Sequence, residues 1–379
     1  MPETDRLWMD VVKMIPGAPK GVKGSWIIND SMVVKDMCTR YNGSRTGREP
    51  VHLSTYDFTS MYTTLPLEDL KLRLGKLLAD IFQARFDLNR AKFLRVCEDD
   101  TYDWITGNGR PTSSREKVFS VDQLICMLGQ LVDNTYVTFG GKLWHQVIGI
   151  PMGTNCAGFI ANLYCFTYEL DFLRRKVHTQ QWDVARQLLN CSRYIDDLLC
   201  IGIQDFDGMR YLPEGIYPKG VLELNLADSG WDVPYMDIHI RQNRRRGLIS
   251  AIYDKRLDAK FTGIQVIRYP HIESFLSNTA KYGIVTSQMH RFARRCSLRS
   301  DFVYNVSLVI HRMILKGYLI HVLWPIVRRF LSNHPEIYNG DQVGTWVGRI
   351  KRKLRELDTG HVRPGPKGQI VYALENCRP

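Results

Sequence analysis

Residues 51–57 (VHLSTYD) alternate apolar and polar positions and are β-branched enough to predict a strand with Val51, Leu53, Thr55 and Asp57 on one face. Asp57 is then expected to end the strand on its own apolar side. Upstream, residues 5–15 carry helical apolar spacing that stops at Pro16-Gly17, and a loop rich in Gly, Pro, Asn and Lys is expected to about Pro50. Downstream, Pro66 suits a first helical turn, Glu68 and Asp69 complement the dipole, and Leu67, Leu70, Leu74, Leu77, Leu78 and Ile81 form a stripe. The polar run 106–114 reads as a surface loop, and Ser120 to Gln123 matches a capping box opening a helix to about Asn134. Two strands, 135–139 and 142–148, are joined by Gly140-Gly141 and deliver the chain to Gly149-Ile-Pro-Met-Gly153. Residues 154–174 are then helical, with Ala157, Gly158 and Ala161 placed where a ligand or another helix approaches closely.

The stretch 191–202 (CSRYIDDLLCIG) predicts a tight hairpin with Asp196 and Asp197 at its tip. Further on, 234–240 (PYMDIHI) and 248–253 (LISAIY) are expected strands around the connection RQNRRRG. Helices are expected at 280–296, at 301–316 behind Ser300 as cap, and at roughly 320–333 with Pro325 near the start. The basic tail from Gly340 is expected to be loosely ordered.

Composition is ordinary for a globular chain of 379 residues, 44% hydrophobic and 24% charged, long enough for two or three domains. No uncharged run approaches the ~18 residues of a membrane span. No basic leader with an apolar core opens the chain, so a soluble, intracellular protein is expected. Nine cysteines lack metal-ligand spacing and read as reduced thiols. The net charge is +12, and residues 281–356 hold 14 lysines and arginines against four acids, an asymmetry that suits a polyanion partner or a solvated helical face.

A strand carrying one Asp, a glycine-rich turn into a helix of small residues, and a hairpin carrying two more Asp make a layout able to hold two metal ions. Phosphoryl transfer needs cations about 3.5–4 Å apart, clamped by carboxylates from different strands. Asp57 and Asp196 would be shared ligands and Asp197 an accessory, with Mg2+ the natural ion and Mn2+ an alternative. A solvated Asp-Asp turn is the plain alternative.

DFTSMYTTLP at 57–66, GIPMGTNCAGFIANLY at 149–164 and YIDD at 194–197 resemble the A, B and C motifs of reverse transcriptases. YMDIHI at 235–240, the run 252–258 and the run 287–297 narrow the resemblance to Penelope-like retroelements. It implies an α+β right-hand polymerase palm, an antiparallel sheet with packed helices, followed by a helical thumb, with fingers incomplete. The implied division is a partial-fingers segment at 1–50, a palm at 51–255 with an insertion near 85–120, a thumb at 256–335 and a basic tail at 336–379.

By the same resemblance Asp57, Asp196 and Asp197 are the catalytic metal ligands, and the Phe58 carbonyl reaches the second metal. Tyr62 falls where an aromatic ring blocks a ribose 2′-OH, Met152 and Gly153 lie beside the incoming nucleotide, and Tyr194 packs near the primer end. The hairpin at 235–253 would be a primer grip, with Arg241, Arg244, Arg245 and Arg246 at its tip. Arg291, Arg294 and Arg295 would follow the duplex backbone without reading sequence. The implied activity is RNA-directed DNA polymerisation of deoxynucleoside triphosphates onto a primer, with an RNA template and a DNA primer or duplex as partners, no membrane, and residence in the nucleus. Two departures stand out. Only 56 residues precede Asp57, without the usual Arg-Pro-Ile-like finger segment, and Gly215-Ile-Tyr217 is the bare tripeptide of a GIY-YIG nuclease. They leave open a catalytically inactive, domesticated nucleic-acid-binding protein; a metal-dependent nuclease lacks a supporting His or Lys arrangement.

Overall fold

The structure, a computed structural model, describes residues 2–45, 49–99, 101–243, 245–255, 267–337 and 341–358. The chain opens with α1 (Pro2–Val12), α2 (Met32–Ser44), β1 (Leu53–Thr59), α3 (Met61–Thr64) and α4 (Leu67–Asn89). Then come β2 (Phe93–Cys97), β3 (Tyr102–Ile105), β4 (Glu116–Phe119), α5 (Val121–Asp133), β5 (Tyr136–Phe139), β6 (Lys142–His145), α6 (Ala157–His178) and α7 (Trp182–Leu188). The hairpin β7 (Cys191–Tyr194) and β8 (Asp197–Ile201) follows, with β9 (Glu223–Gly230), β10 (Asp232–Tyr235), β11 (Ile238–Asn243) and β12 (Gly247–Ile252) behind it. Four helices close the chain: α8 (Asn278–Arg295), α9 (Arg299–Ile314), α10 (Ile320–Asn333) and α11 (Val343–Asp358). None of the described helices is long and apolar enough to cross a membrane. The described cysteines are free thiols.

The chain divides into two compact units, Met1–Asn29 with His52–Gly230 and Asp30–Val51 with Trp231–Pro379. The division at Gly230 sends residues 231–255, which the resemblance assigns to the palm, to the same unit as the C-terminal helices.

In the first unit an antiparallel sheet runs β7-β8-β1-β9. Its core face carries Tyr56, Phe58, Leu198, Cys200 and Leu224 and shares one apolar cluster with Leu70 and Leu74 of α4 and Tyr164, Phe166 and Phe172 of α6. α6 is buried over most of residues 157–173 and turns charged and exposed in its last turn. β1 does not alternate: Leu53, Ser54, Thr55 and Tyr56 are all buried, because β1 is a central strand. Exposure begins at Asp57, and the strand continues through Thr59, so the expectation that it ends at Asp57 on an apolar face is corrected. The capping box at Ser120 and Gln123 forms, and Gly140 and Gly141 take φ +59° and +73° in the β5–β6 turn. The 106–114 loop connects β3 to β4 in a separate sheet of order β3-β2-β4.

In the second unit the sheet β10-β11-β12 lies with α2 and the four C-terminal helices. The expected strand 234–240 is two strands, because Met236 takes φ +55° and reverses the chain between Tyr235 and Ile238. The stretch expected as loop to residue 50 contains α2, tied to β12 by Asn42, whose side chain accepts from the Leu248 amide and donates to the Leu248 carbonyl, each at 2.8 Å. Ser300 lies inside α9, whose N-cap is Leu298. Within the tail Val343–Asp358 form α11, because Trp346, Val347, Ile350, Leu354 and Leu357 recur at helical spacing and are buried.

Leu198, on the β8 arm of the hairpin, is fully buried in the core beneath the sheet. Leu198→Ala is expected to destabilise the protein by roughly 2–5 kcal/mol through loss of burial and a residual cavity, read in a urea unfolding curve.

Candidate active site

Tyr194 and Asp197 close the β7–β8 hairpin, leaving Ile195 and Asp196 as its two turn residues. Asp197 is therefore the first residue of β8 and pairs directly with Asp57 on β1, which pairs on its other side with Asn225 of β9. Directly opposed residues share a face, so Asp197, Asp57 and Asn225 form one polar row across three strands. Asp57 is exposed, while Asp196 and Asp197 are half-buried. The turn meets β1 through the Phe58 amide, which donates to the Asp196 carbonyl at 3.0 Å. Ile195 sits at φ +55°, a conformation that costs a β-branched residue on the order of 1–3 kcal/mol and persists only where its surroundings impose it. Among the described residues no group of three His, Cys, Asp or Glu could hold a metal ion unaided.

Tyr62 is half-buried on the single turn α3. Gly149 and Ile150 are zipped to that turn, the Gly149 amide donating to the Leu65 carbonyl at 2.9 Å and the Ile150 amide to the Tyr62 carbonyl at 2.6 Å. At φ +77°, a side chain on Gly149 would have its Cβ 2.4 Å from the Tyr62 carbonyl oxygen, so glycine is required there. A Cβ on Gly158 would lie 3.7 Å from the Tyr62 hydroxyl. The early small residues of α6 thus accommodate α3 and the Tyr62 ring. Burial first, and then the negative charge of Asp196, hold the Tyr62 phenol above its ordinary pKa. Past this turn Met152 is 72% exposed, and Gly153 faces open space.

Beneath the hairpin lies a polar network that motif reading missed. Arg193 and Glu169 are both fully buried and paired at 2.6 Å. Arg193 also donates to the Asn162 side-chain oxygen at 2.6 Å, the Asn162 carbonyl at 3.0 Å and the Ile195 carbonyl at 2.9 Å. Tyr217 donates its hydroxyl to Glu169 at 2.9 Å, and its ring meets Phe58 edge to face at 4.9 Å. Burial would lower the guanidinium pKa, but the Glu169 carboxylate outweighs it and the net direction is up. The backbone of Arg193 is clamped as well, donating to the Trp26 carbonyl at 2.6 Å and accepting from the Ile28 amide at 2.9 Å.

In the second unit the arginines singled out from sequence divide in two. Arg241 makes two bonds of 2.9 Å to Asp301, Arg291 reaches Asp237 at 2.8 Å, and Arg295 reaches Asp237 and Asp30 at 3.1 and 3.2 Å. These three guanidiniums are engaged by carboxylates within the unit. Arg245, Arg246 and Arg294 are exposed, and Arg244 lies outside the described residues. Burial would raise the Asp237 pKa, but the Ser31 hydroxyl and the guanidiniums of Arg291 and Arg295 overcome it and hold the carboxyl below its usual range. A basic groove of about 560 Å³ between α9 and α11, lined by Arg299, Tyr304, Arg349, Arg352 and Lys353 among others, was hidden from sequence reading because α11 falls in the stretch expected to be loose.

No protein-family model matches the chain, and no curated protein matches it by sequence. Among solved structures it is similar to a telomerase from Candida albicans in complex with a TWJ fragment of telomeric RNA, with TM-score 0.51 and 10% identity over 96% of this chain and 56% of that one. The fold is reverse-transcriptase-like. An apo telomerase from Candida tropicalis aligns at TM-score 0.43 and 11% identity over 94% of this chain and 53% of that one. The chain spans a little over half the length of these telomerases. Within that fold, the A, B and C stretches lie in one unit: Asp57 on β1, Gly149 against α3, and Asp196 in the adjacent hairpin turn.

Gly149→Ala is expected to cost roughly 1–3 kcal/mol from backbone strain and the clash with Tyr62, read as a lower urea midpoint.

Proposed function

We propose that the chain is a template-directed nucleotidyltransferase, an RNA-directed DNA polymerase of Penelope-like retroelement type, adding deoxynucleotides to a primer 3′-OH. The observation that carries this reading is the direct pairing of Asp57 with Asp197 and the docking of Asp196 on the Phe58 amide, inside a reverse-transcriptase-like fold. The three acids offer oxygen donors alone, the set Mg2+ prefers, and that ion is commonly held by one or two carboxylates completed by substrate phosphates. A site without three converging protein ligands is compatible with such sharing. In this reading Asp57 and Asp196 would hold the Mg2+ or Mn2+ ions, with Asp197 and the Phe58 carbonyl as further oxygen donors. When bound, such ions activate the primer hydroxyl and offset charge on the leaving phosphate.

The residues of the chain itself do the positioning. Tyr62, held between Asp196 and Gly158, presents its ring to the sugar of the incoming nucleotide. Met152 and Gly153 leave room beside the nascent base pair, and Tyr194 supports the primer end. In the second unit Arg245, Arg246 and Arg294, with Arg352 of the α9–α11 groove, contact the template–primer backbone, while Arg241, Arg291 and Arg295 serve by holding that unit in shape. The Arg245-Arg246 turn also suits a nuclear address. A catalytically inactive duplex-binding scaffold is the second reading, favoured because no group of three His, Cys, Asp or Glu among the described residues could hold a metal ion.

Primer extension on a homopolymer RNA template with Mg2+ separates the two. Asp196→Asn is expected to lower the extension rate by about 10³-fold, about 4 kcal/mol of transition-state stabilisation, while leaving salt-sensitive duplex binding intact. Absence of extension by the native chain, with the same duplex binding, would favour the scaffold. Tyr62→Ala is expected to raise ribonucleotide incorporation relative to deoxynucleotide by about tenfold, roughly 1.4 kcal/mol, in the same assay.

A further inference from the structure

We infer that Arg193 is a positioning residue that sets the catalytic hairpin from below, tying the three acid-bearing and glycine-bearing stretches into one buried knot. One guanidinium fork spans two elements. Its Nε lies 2.6 Å from Glu169 and its Nη1 2.6 Å from the Asn162 side-chain oxygen, both on α6, and the same Nη1 donates to the Ile195 carbonyl at 2.9 Å. That carbonyl belongs to the left-handed residue that immediately precedes Asp196. The third element joins through Tyr217, which donates to Glu169 at 2.9 Å and stacks edge to face on Phe58, the neighbour of Asp57. Phe58 in turn donates its amide to the Asp196 carbonyl at 3.0 Å. The loop closes on itself: β1, α6 and the β7–β8 turn each touch the knot.

Stability alone does not account for such a group. Apolar residues of similar volume often replace a buried ion pair at no loss, or with a gain. What an apolar replacement lacks is a donor aimed at the Ile195 carbonyl, and with it the force that keeps a β-branched residue in a left-handed turn. A lysine fails for a different reason. It keeps a charge opposite Glu169, but a single ammonium cannot reproduce the planar fork that reaches Asn162 and Ile195 at once. Arg193 contacts no reacting atom; it acts through the backbone on Asp196.

Amide hydrogen exchange on the full chain tests this, and only the kinetic readout rests on the polymerase reading. Two variants are compared with the native protein: Arg193→Lys, and the apolar triple Arg193→Met, Glu169→Leu, Tyr217→Phe. In whichever of them retains the native circular dichroism, exchange at the Phe58 and Asp197 amides is expected to quicken at least tenfold, while Leu70 and Leu74 of α4 keep native protection. Where the native chain extends primers, kcat should fall at least tenfold with KM for the deoxynucleotide within about twofold. Native exchange at Phe58 and Asp197 in a folded variant would overturn the inference, whether or not the chain polymerises. Unfolding of both variants would also overturn it, since the knot would then be a requirement of the whole fold. If the native chain extends no primer but exchange quickens as stated, the positioning role stands and the polymerase reading falls.

Discussion

A guanidinium removed wholly from water must regain its hydration from fixed partners, and Arg193 finds them in Glu169, Asn162 and Ile195. Those partners lie on different parts of the chain, so satisfying one buried charge aligns α6 with the β7–β8 hairpin. The Phe58 ring against Tyr217 and the Phe58 amide on Asp196 then extend the same constraint to β1. The acids lie on the elements that this interior network joins. Asp57 is exposed, and Asp196 and Asp197 are half-buried.

The chain uses one turn twice and gives it opposite chemistry. Tyr194-Ile195-Asp196-Asp197 and Tyr235-Met236-Asp237-Ile238 both reverse on an apolar residue at φ +55° followed by an aspartate. In the second unit, Asp237 is consumed by Ser31, Arg291 and Arg295 and becomes a structural anchor. In the first, Asp196 stays half-exposed at the edge of a polar row. The difference lies in what surrounds the turn, since cations close on Asp237 while the buried cation near Asp196 binds backbone and leaves the side chain to solvent.

Counting basic residues overstates the surface open to a polyanion. Arg241, Arg291 and Arg295 are each within ion-pair distance of a carboxylate, which removes them from the free electrostatic footprint. In the α9–α11 groove the same holds for Arg299 and Arg349, both within ion-pair distance of Asp341, and for Lys353 beside Glu356, while Arg352 lines the groove on a helix whose buried stripe of Trp346, Ile350 and Leu354 turns the basic side outward.

Sequence alone determined the local elements whose signals are local: the Ser120 capping box, the Gly140-Gly141 turn, the apolar stripe of α4 and the hairpin carrying Asp196 and Asp197. It also carried the resemblance that orders Asp57, Gly149 and Asp196 along the chain. The tertiary structure alone decided the register that sets Asp57 opposite Asp197, the contact of Gly149 with Tyr62, and the left-handed turns at Ile195 and Met236, which no glycine or asparagine announces. It decided the fate of the arginines too. Pairing of Arg193 with Glu169, or of Arg291 with Asp237, depends on side chains 24 and 54 residues apart that meet only after the core has formed. Periodicity reports which face of an element is apolar; it does not report which charge waits on the facing element.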